Sequence, residues 1–157
     1  MEKVITKTKI MKRSVYLLTI LLLYSCAASK NYTQEDIVIS MKKTGCYGPC
    51  PVYELKIYKN GFVKLTADEH LDLQGEFYTK LPGSKVKALV SKFNDIGFFG
   101  LEGQYTSITK DLPTTWVYFS YDGRNKKVKD YDGAPEVLKD LEKELASLIE
   151  SEDWKQY

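Results

Sequence analysis

The sequence predicts an α+β fold, in which an antiparallel sheet of hairpins carries two amphipathic helices packed on one face. Two observations support this class: alternating segments joined by the turns Asn60-Gly61 and Asp122-Gly123, and two helical segments with one apolar stripe each. The order is strands, helix, strands, helix, which suits a two-layer domain. Because each half contains a hairpin followed by a helix, the pattern also suggests a degenerate internal repeat.

The first half of the predicted sheet contains strands at residues 37–41, 51–58, 62–66 and 76–81. The stretch PVYELKIY at 51–58 alternates apolar and polar side chains, which is typical of a half-buried strand. Asn60-Gly61 follows it, and Asn-Gly between two such segments is a strong hairpin signal because a type I′ turn needs positive φ at both central residues.

Two helices are predicted from apolar stripes. Ser84 is the predicted N-cap of the first helix and Gly97 its end. Its apolar positions are Val86, Leu89, Val90, Phe93 and Ile96. Pro135 opens the last helix, where the missing N–H is tolerated. The predicted buried face of that helix contains Val137, Leu138, Leu141, Leu145, Leu148 and Ile149.

The second half contains predicted strands at 115–121 and 127–131, joined at Asp122-Gly123. If Val117 and Phe119 face the core, then Trp116 and Tyr118 lie on the opposite face, which Tyr58 can share. Exposed aromatic side chains are typical of binding surfaces, so Tyr58, Trp116 and Tyr118 are candidate binding residues. The simpler interpretation is that loops or the preceding tether cover them, since aromatic residues are common in strands.

Residues 1–25 have the pattern of a leader. Lys12-Arg13 precedes ten uncharged residues at 15–24, too few for a bilayer span of about 20 residues but suited to a signal peptide. The sequence does not decide whether Met1 or Met11 is the start. Leu23-Tyr24-Ser25-Cys26 resembles the lipobox of bacterial lipoproteins, and this resemblance implies that Cys26 is acylated and becomes the mature N-terminus.

The remaining chain divides into residues 26–35, a lipidated cysteine and flexible tether, a single globular domain at 36–150, and a tail at 151–157. From residue 26 onward the chain has 18 Lys and Arg residues against 20 Asp and Glu residues. This balance excludes the general positive field that favours nucleic acid. The basic cluster Arg124, Lys126, Lys127 and Lys129 follows a turn and is typical of a solvated hairpin end.

Cys46 and Cys50, in GCYGPCP at 45–51, allow three interpretations. A local disulfide is favoured, because disulfides persist outside the cytoplasm and Gly48-Pro49 suits the required turn. A Cu(I) site formed with His70 is an alternative, since Cys-x-x-x-Cys-Pro resembles the motif of Sco copper chaperones. In those chaperones the motif leads into a helix, whereas here it leads into a predicted strand. Thiol–disulfide exchange is the third, although its usual spacing is Cys-x-x-Cys.

Catalytic constellations are missing from the sequence. There is one histidine, no phosphate-binding loop and no nucleophile elbow. The carboxylates Asp68, Glu69, Asp72 and Asp111 are of the kind that any solvated surface supplies. We therefore expect no enzymatic activity and no cofactor.

The motif Cys-aromatic-Gly-x-Cys-Pro-x-Tyr at 46–53 precedes a strand–turn–strand unit, followed later by Gly97-Phe98-Phe99 and Asp111-x-Pro113-Thr114. Over residues 36–150 this pattern resembles a family of small bacterial envelope lipoproteins known only as a domain of unknown function. The resemblance implies a shared fold, an envelope location and no assigned activity.

We therefore expect an envelope lipoprotein on the periplasmic face of the outer membrane, with a non-catalytic binding or structural domain. Its expected partners are the membrane, through the lipid anchor, and an envelope protein or peptidoglycan-associated partner, but not nucleic acid. The alternative function is a Cu(I)-binding or thiol-redox domain.

Overall fold

An eight-stranded sheet and two helices form residues 33–157, the part of the chain that the computed structural model describes. The predicted leader, Cys26 and the tether as far as residue 32 lie outside the described residues. The strands are β1 (Ile37–Lys43), β2 (Val52–Tyr58), β3 (Phe62–Glu69), β4 (Gly75–Lys80), β5 (Gln104–Tyr105), β6 (Thr115–Tyr121), β7 (Arg124–Asp130) and β8 (Lys155–Gln156). The helices are α1 (Gly83–Asp95) and α2 (Glu136–Ser151).

The strand order is β5-β7-β6-β1-β2-β3-β4-β8, and every pair is antiparallel except β5 with β7. Strand β1 pairs with β2 on one side and β6 on the other, so it joins the two halves of the chain. The predicted α+β class is confirmed. The halves are alike only in outline, because α1 follows the three-stranded meander β2–β4 whereas α2 follows the hairpin β6–β7.

One face of the sheet forms the core. Across the central strands Ile39 lies opposite Ile57 and Phe119, so these apolar side chains project to the same side. The Phe93 ring of α1 stacks on Phe119 with centroids 4.5 Å apart. The buried residues of α2 join the same cluster: Leu138, Leu141, Leu145, Leu148 and Ile149. Both helices therefore pack on this face.

Two details of the helix predictions were wrong. Pro82, not Ser84, is the N-cap of α1, because the helix already begins at Gly83 and Ser84 lies exposed in its first turn. In α2, Val137 is 48% exposed. It lies about 100° around the helix from Leu138, which takes it off the buried stripe.

Hairpin turns are present at both predicted places, but only one has the predicted conformation. Asp122 and Gly123 both have positive φ, at +51° and +71°, whereas in Asn60-Gly61 only Gly61 does, at +82°. The Gly61 N–H donates to the Tyr58 oxygen at 2.8 Å, so Lys59 and Asn60 are the central residues of that turn.

Gly61 is also crowded, since a Cβ atom there would lie 2.4 Å from the carbonyl oxygen of Leu81. The Leu81 N–H also donates to the Gly61 oxygen at 2.9 Å, which holds the turn and residue 81 together. The turn is therefore packed against the end of β4, which positive φ alone does not reveal.

The C-terminal segment, which the sequence predicts as a tail, contains strand β8. Phe77 and Tyr78 of β4 pair with β8, and the Tyr157 N–H donates to the Glu76 oxygen at 3.0 Å. The Trp154 indole N–H donates to the Ile149 oxygen at 2.9 Å, just beyond which α2 ends. The segment thus closes one edge of the sheet.

Candidate functional site

Cys46 and Cys50 form the predicted disulfide, with their Cα atoms 5.7 Å apart. The bridge lies within the connection between β1 and β2. Tyr47 lies at its tip with 91% of its surface exposed. The bridge therefore fixes the chain immediately before β2 begins at Val52.

The loop before β6 lies against this bridge. The Tyr47 N–H donates to the Asp111 oxygen at 3.3 Å, and the Thr44 N–H donates to the Thr114 oxygen at 3.0 Å. In return the Thr114 N–H donates to Thr44 Oγ1 at 3.0 Å. The two sequence motifs that carry the resemblance, one around the cysteines and one at 111–114, are thus neighbours at one end of the sheet.

The alternative Cu(I) site is not assembled. Both thiols are engaged with each other, and within residues 33–157 no three His, Cys, Asp or Glu side chains are grouped closely enough to hold a metal ion. His70 follows β3 at φ +55° and lines a groove of about 640 Å³ together with Pro51 and Trp154.

The sheet face opposite the helices is the main candidate surface, and we call it the open face. Its positions follow from strand alternation and pairing. They are Ile37, Ser40, Lys42, Val52, Glu54, Lys56, Tyr58, Phe62, Lys64, Thr66, Asp68, Glu69, Glu76, Tyr78, Lys80, Gln104, Trp116, Tyr118, Ser120, Asn125, Lys127, Lys129 and Lys155.

Trp116 lies in the part of the open face formed by β1, β6 and β7, half-buried between Lys42 and Lys129 on the flanking strands. The Lys127 ammonium lies 4.5 Å from its ring centroid and that of Lys129 lies 5.8 Å away. Tyr118, also half-buried, lies between Ser40 and Lys127. The indole ring therefore gathers cations at one place on the surface.

Tyr58 does not belong to this accessible group. It shares the open face but is only 7% exposed, and its ring lies 5.7 Å from Phe62. Phe62 in turn stacks on Tyr78, whose ring is 5.1 Å from Tyr157. The predicted surface Tyr58–Trp116–Tyr118 therefore separates into an accessible pair and a packed aromatic cluster on strands further along the sheet.

The basic cluster predicted as a solvated hairpin end is divided between the two faces. Lys127 and Lys129 lie on the open face. Arg124 lies over the Phe99 ring at 4.2 Å, and the Lys126 ammonium donates to the Phe99 oxygen at 3.1 Å. Strand pairing therefore sets which face of the sheet each cation occupies.

A second cluster lies between the core face and α2, around a cavity of about 300 Å³. Carboxyl groups from β7 and α2 line it, together with cations from β1 and α2: Asp130, Glu142, Lys43, Lys139 and Lys143. Asp130 Oδ1 and Glu142 Oε1 are buried and have no hydrogen-bond partner among the described residues.

Burial controls the protonation of this cluster. It raises the pKa of Glu142 to about 7, with a further contribution from the charge of Asp130 and opposing ones from Lys43 and Lys139. Burial likewise raises the pKa of Asp130. The pKa of Tyr53 rises to about 12 because of burial and the neighbouring charge of Glu142. The cluster can therefore hold a proton near neutral pH, which an exposed glutamate does not.

The sequence contains a signal for this cluster that was missed. Glu142 follows Leu138 by four residues and precedes Leu145 by three, so it lies within the buried stripe of α2. Asp130 pairs with Thr115, which places it on the core face of the sheet. The strand register and the packing of α2 on the sheet together bring these two carboxyl groups close, and neither is readable from periodicity.

Among residues 33–157 there is no helix long and apolar enough to cross a membrane. The observed features define a disulfide-stapled α+β domain with a lysine- and aromatic-rich sheet face. The chain belongs to the family described as Domain of unknown function (DUF6438), whose profile matches residues 37–149. No curated protein matches the chain.

Proposed function

We propose that the protein is a lipid-anchored lipoprotein of the bacterial cell envelope whose domain binds an anionic partner through the open face, without catalysing a reaction. The observation that carries the binding role is the cation group around Trp116, on a sheet face that both helices leave free. Unpaired cations beside aromatic rings favour anions that can replace water around the ammonium groups.

Ion pairing within the face supports this assignment. Glu54 neutralises Lys56 at 2.8 Å and Glu76 neutralises Lys64 at 2.7 Å. Among the described residues no carboxylate lies within ion-pair distance of Lys42, Lys127 or Lys129. These three lysines surround Trp116, so their charge remains available to a partner.

The anchoring part of the proposal depends on the leader, where Cys26 follows Leu23-Tyr24-Ser25 and a ten-residue apolar stretch. The Cys46–Cys50 disulfide supports a location outside the cytoplasm, because such bonds persist in oxidising compartments. We place the domain on the periplasmic face of the outer membrane.

Anchoring is tested by expressing the full chain and its Cys26→Ser variant in a bacterium. We expect the wild type in the membrane fraction, with an intact mass that includes the acyl chains, because two or more chains hold a protein firmly on a bilayer. The variant should leave that fraction. Identical fractionation and an unmodified mass for the wild type would contradict lipidation.

Anion binding is tested by the salt concentration that elutes the detergent-solubilised protein from a dextran sulfate column. We expect Lys127→Ala/Lys129→Ala to elute at a distinctly lower salt concentration, because the remaining attraction is screened sooner. The charge-matched control is Lys87→Ala/Lys143→Ala, which removes two exposed cations from the helices. Equal shifts in both variants would show that the open face is not the site.

A further inference from the structure

We propose that the open face docks on the anionic phospholipid surface of the same membrane that anchors Cys26. This inference rests on the proposed function and names the partner. The membrane becomes the ligand of the folded domain as well as the location of its lipid anchor, so the domain lies on the bilayer in one orientation.

The charge of the domain is divided between its surfaces. Open-face positions carry seven lysines against three glutamates and one aspartate, whereas the other described residues carry ten cations and sixteen anions. A domain with net negative charge therefore presents one positive face. An anionic surface attracts that face and repels the others, which selects a single orientation.

The spacing of the cations suits an extended surface. Lys42, Trp116 and Lys129 lie opposite one another on three adjacent strands, so the two lysines are separated by about twice the strand spacing of ~4.8 Å. Lys155, across from Tyr78, extends the positive charge to the far edge. The two cavities described above are lined by other residues, so the face presents a spread of charge rather than a pocket for one small ion.

The aromatic residues suit the same partner. Tryptophan and tyrosine have an apolar ring with a polar tip, and they are enriched at the level of lipid headgroups. Trp116 and Tyr118 are half-buried at the centre of the cation group. The Lys127 ammonium lies over the Trp116 ring, so the apolar ring and a cation occupy the same place on the surface.

The tether makes weak docking sufficient. Six residues lie between Cys26 and Thr33, so the domain starts at most about 25 Å from the proposed site of acylation. Such a short connection gives an effective concentration on the order of millimolar at the lipid surface. Each lysine held near anionic lipid favours docking about fivefold. Lys42, Lys127 and Lys129 together are therefore enough to populate the docked orientation.

The experiment measures the rate at which individual lysines are acetylated in the lipidated full-length protein, read by mass spectrometry. The protein is inserted into preformed vesicles of phosphatidylglycerol and phosphatidylcholine in equal amounts, or of phosphatidylcholine alone. We expect Lys42, Lys127 and Lys129 to react about tenfold more slowly on the anionic vesicles. Lys87 and Lys143, on the helices, should react equally on both, and high salt should remove the protection.

A second variant keeps the docking readout independent of the substituted lysines. In Lys127→Ala/Lys129→Ala the protection of Lys42 on anionic vesicles should fall to near the phosphatidylcholine value, whereas in Lys87→Ala/Lys143→Ala it should persist. Open-face lysines that react equally fast on both vesicle types would overturn the inference, and so would preferential protection of the helix lysines.

One further arm identifies a different partner. Soluble polygalacturonate, an anionic glycan, is added to the protein on phosphatidylcholine vesicles. Protection of the open-face lysines by the glycan together with none on phosphatidylglycerol would overturn lipid docking and leave anion binding by the open face intact. Failure of the dextran sulfate experiment or absence of acylation would instead contradict the proposed function itself.

Discussion

Glu142 is the residue whose chemistry departs furthest from its surroundings. It is an acidic residue within the buried apolar stripe of α2. Its Oε1 atom is buried and has no hydrogen-bond partner among the described residues. A buried carboxylate without a partner is costly, and the group responds by binding a proton more tightly. Lys43 and Lys139 offset part of this cost through their charge.

Stability should therefore depend on pH through this group. The pKa of Glu142 is about 7 in the folded protein against an ordinary 4.5, so between these values the folded state retains a proton that the unfolded chain has released. Stability thus falls as pH rises through this window, by at most about 3 kcal/mol. Glu142→Gln should remove most of this slope and be about 1–3 kcal/mol more stable than wild type at pH 8.

The measurement is urea denaturation between pH 5 and pH 8. Glu150→Gln is the matched control, since Glu150 lies exposed on the same helix. It should keep the wild-type slope. A Glu142→Gln variant with an unchanged slope would show that another group in the cavity, such as Asp130, holds the proton.

The disulfide closes a very short ring, so its removal should have a limited effect. For the five residues from Cys46 to Cys50, the chain-entropy estimate is about 2 kcal/mol. The double variant Cys46→Ala/Cys50→Ala should lose about that much in free energy of unfolding and remain folded at 25 °C. A loss well above this value would show that contacts to the loop at 111–114 depend on the bridge.

At the scale of elements, comparing the two hairpin turns distinguishes the cost of backbone conformation from the cost of crowding. Both Gly61 and Gly123 have positive φ, but only Gly61 faces a carbonyl, that of Leu81 at the end of β4. A left-handed residue with a side chain costs about 1–2 kcal/mol. We expect Gly123→Ala to cost about this much.

Gly61→Ala should cost at least about 1 kcal/mol more than Gly123→Ala, because a Cβ atom 2.4 Å from backbone oxygen requires the turn and β4 to move apart. Thermal and urea unfolding of the two variants measures the difference directly. Equal losses would mean that the Leu81 carbonyl shifts easily and that β4 is loosely held at that end.

At the scale of the whole molecule, local patterns were sufficient for most of the fold. Alternation located β2 and β6, Asn60-Gly61 and Asp122-Gly123 located the hairpins, and apolar stripes located both helices. Strands β5 and β8 were missed, since two residues are too few to show alternation and their pairing depends on the finished sheet.

In the candidate sites, too, local patterns predicted some features, whereas others depend on strand pairing. Alternation within β6 placed Trp116 and Tyr118 opposite the core, whereas the lysines around them come from β1 and β7 and depend on strand pairing. Tyr58 was correctly placed on the face, but its burial beside Phe62 depends on neighbouring strands. The pair Asp130 and Glu142 needs both register and helix docking, so the sequence alone could not assemble it.

The C-terminal segment tests how far the sheet depends on non-local contacts. Deleting residues 152–157 removes β8, the Trp154 hydrogen bond to Ile149 and the Tyr157 contact with Tyr78. We expect a loss of about 2–4 kcal/mol in free energy of unfolding, chiefly from the two aromatic side chains. Urea unfolding of the truncated domain measures this, and an unchanged midpoint would show that the segment only covers the edge.

The short outer strands affect how the sheet edges of neighbouring molecules can interact. An eight-stranded sheet has two borders at which backbone groups can recruit a strand from a neighbouring molecule. Here β5 and β8 occupy those borders, and each is only two residues long. The proposed lipid anchor would confine the molecules to two dimensions, where collisions between borders are frequent. A two-residue strand offers little backbone to which a neighbouring strand could pair, which limits strand addition at β5 and β8.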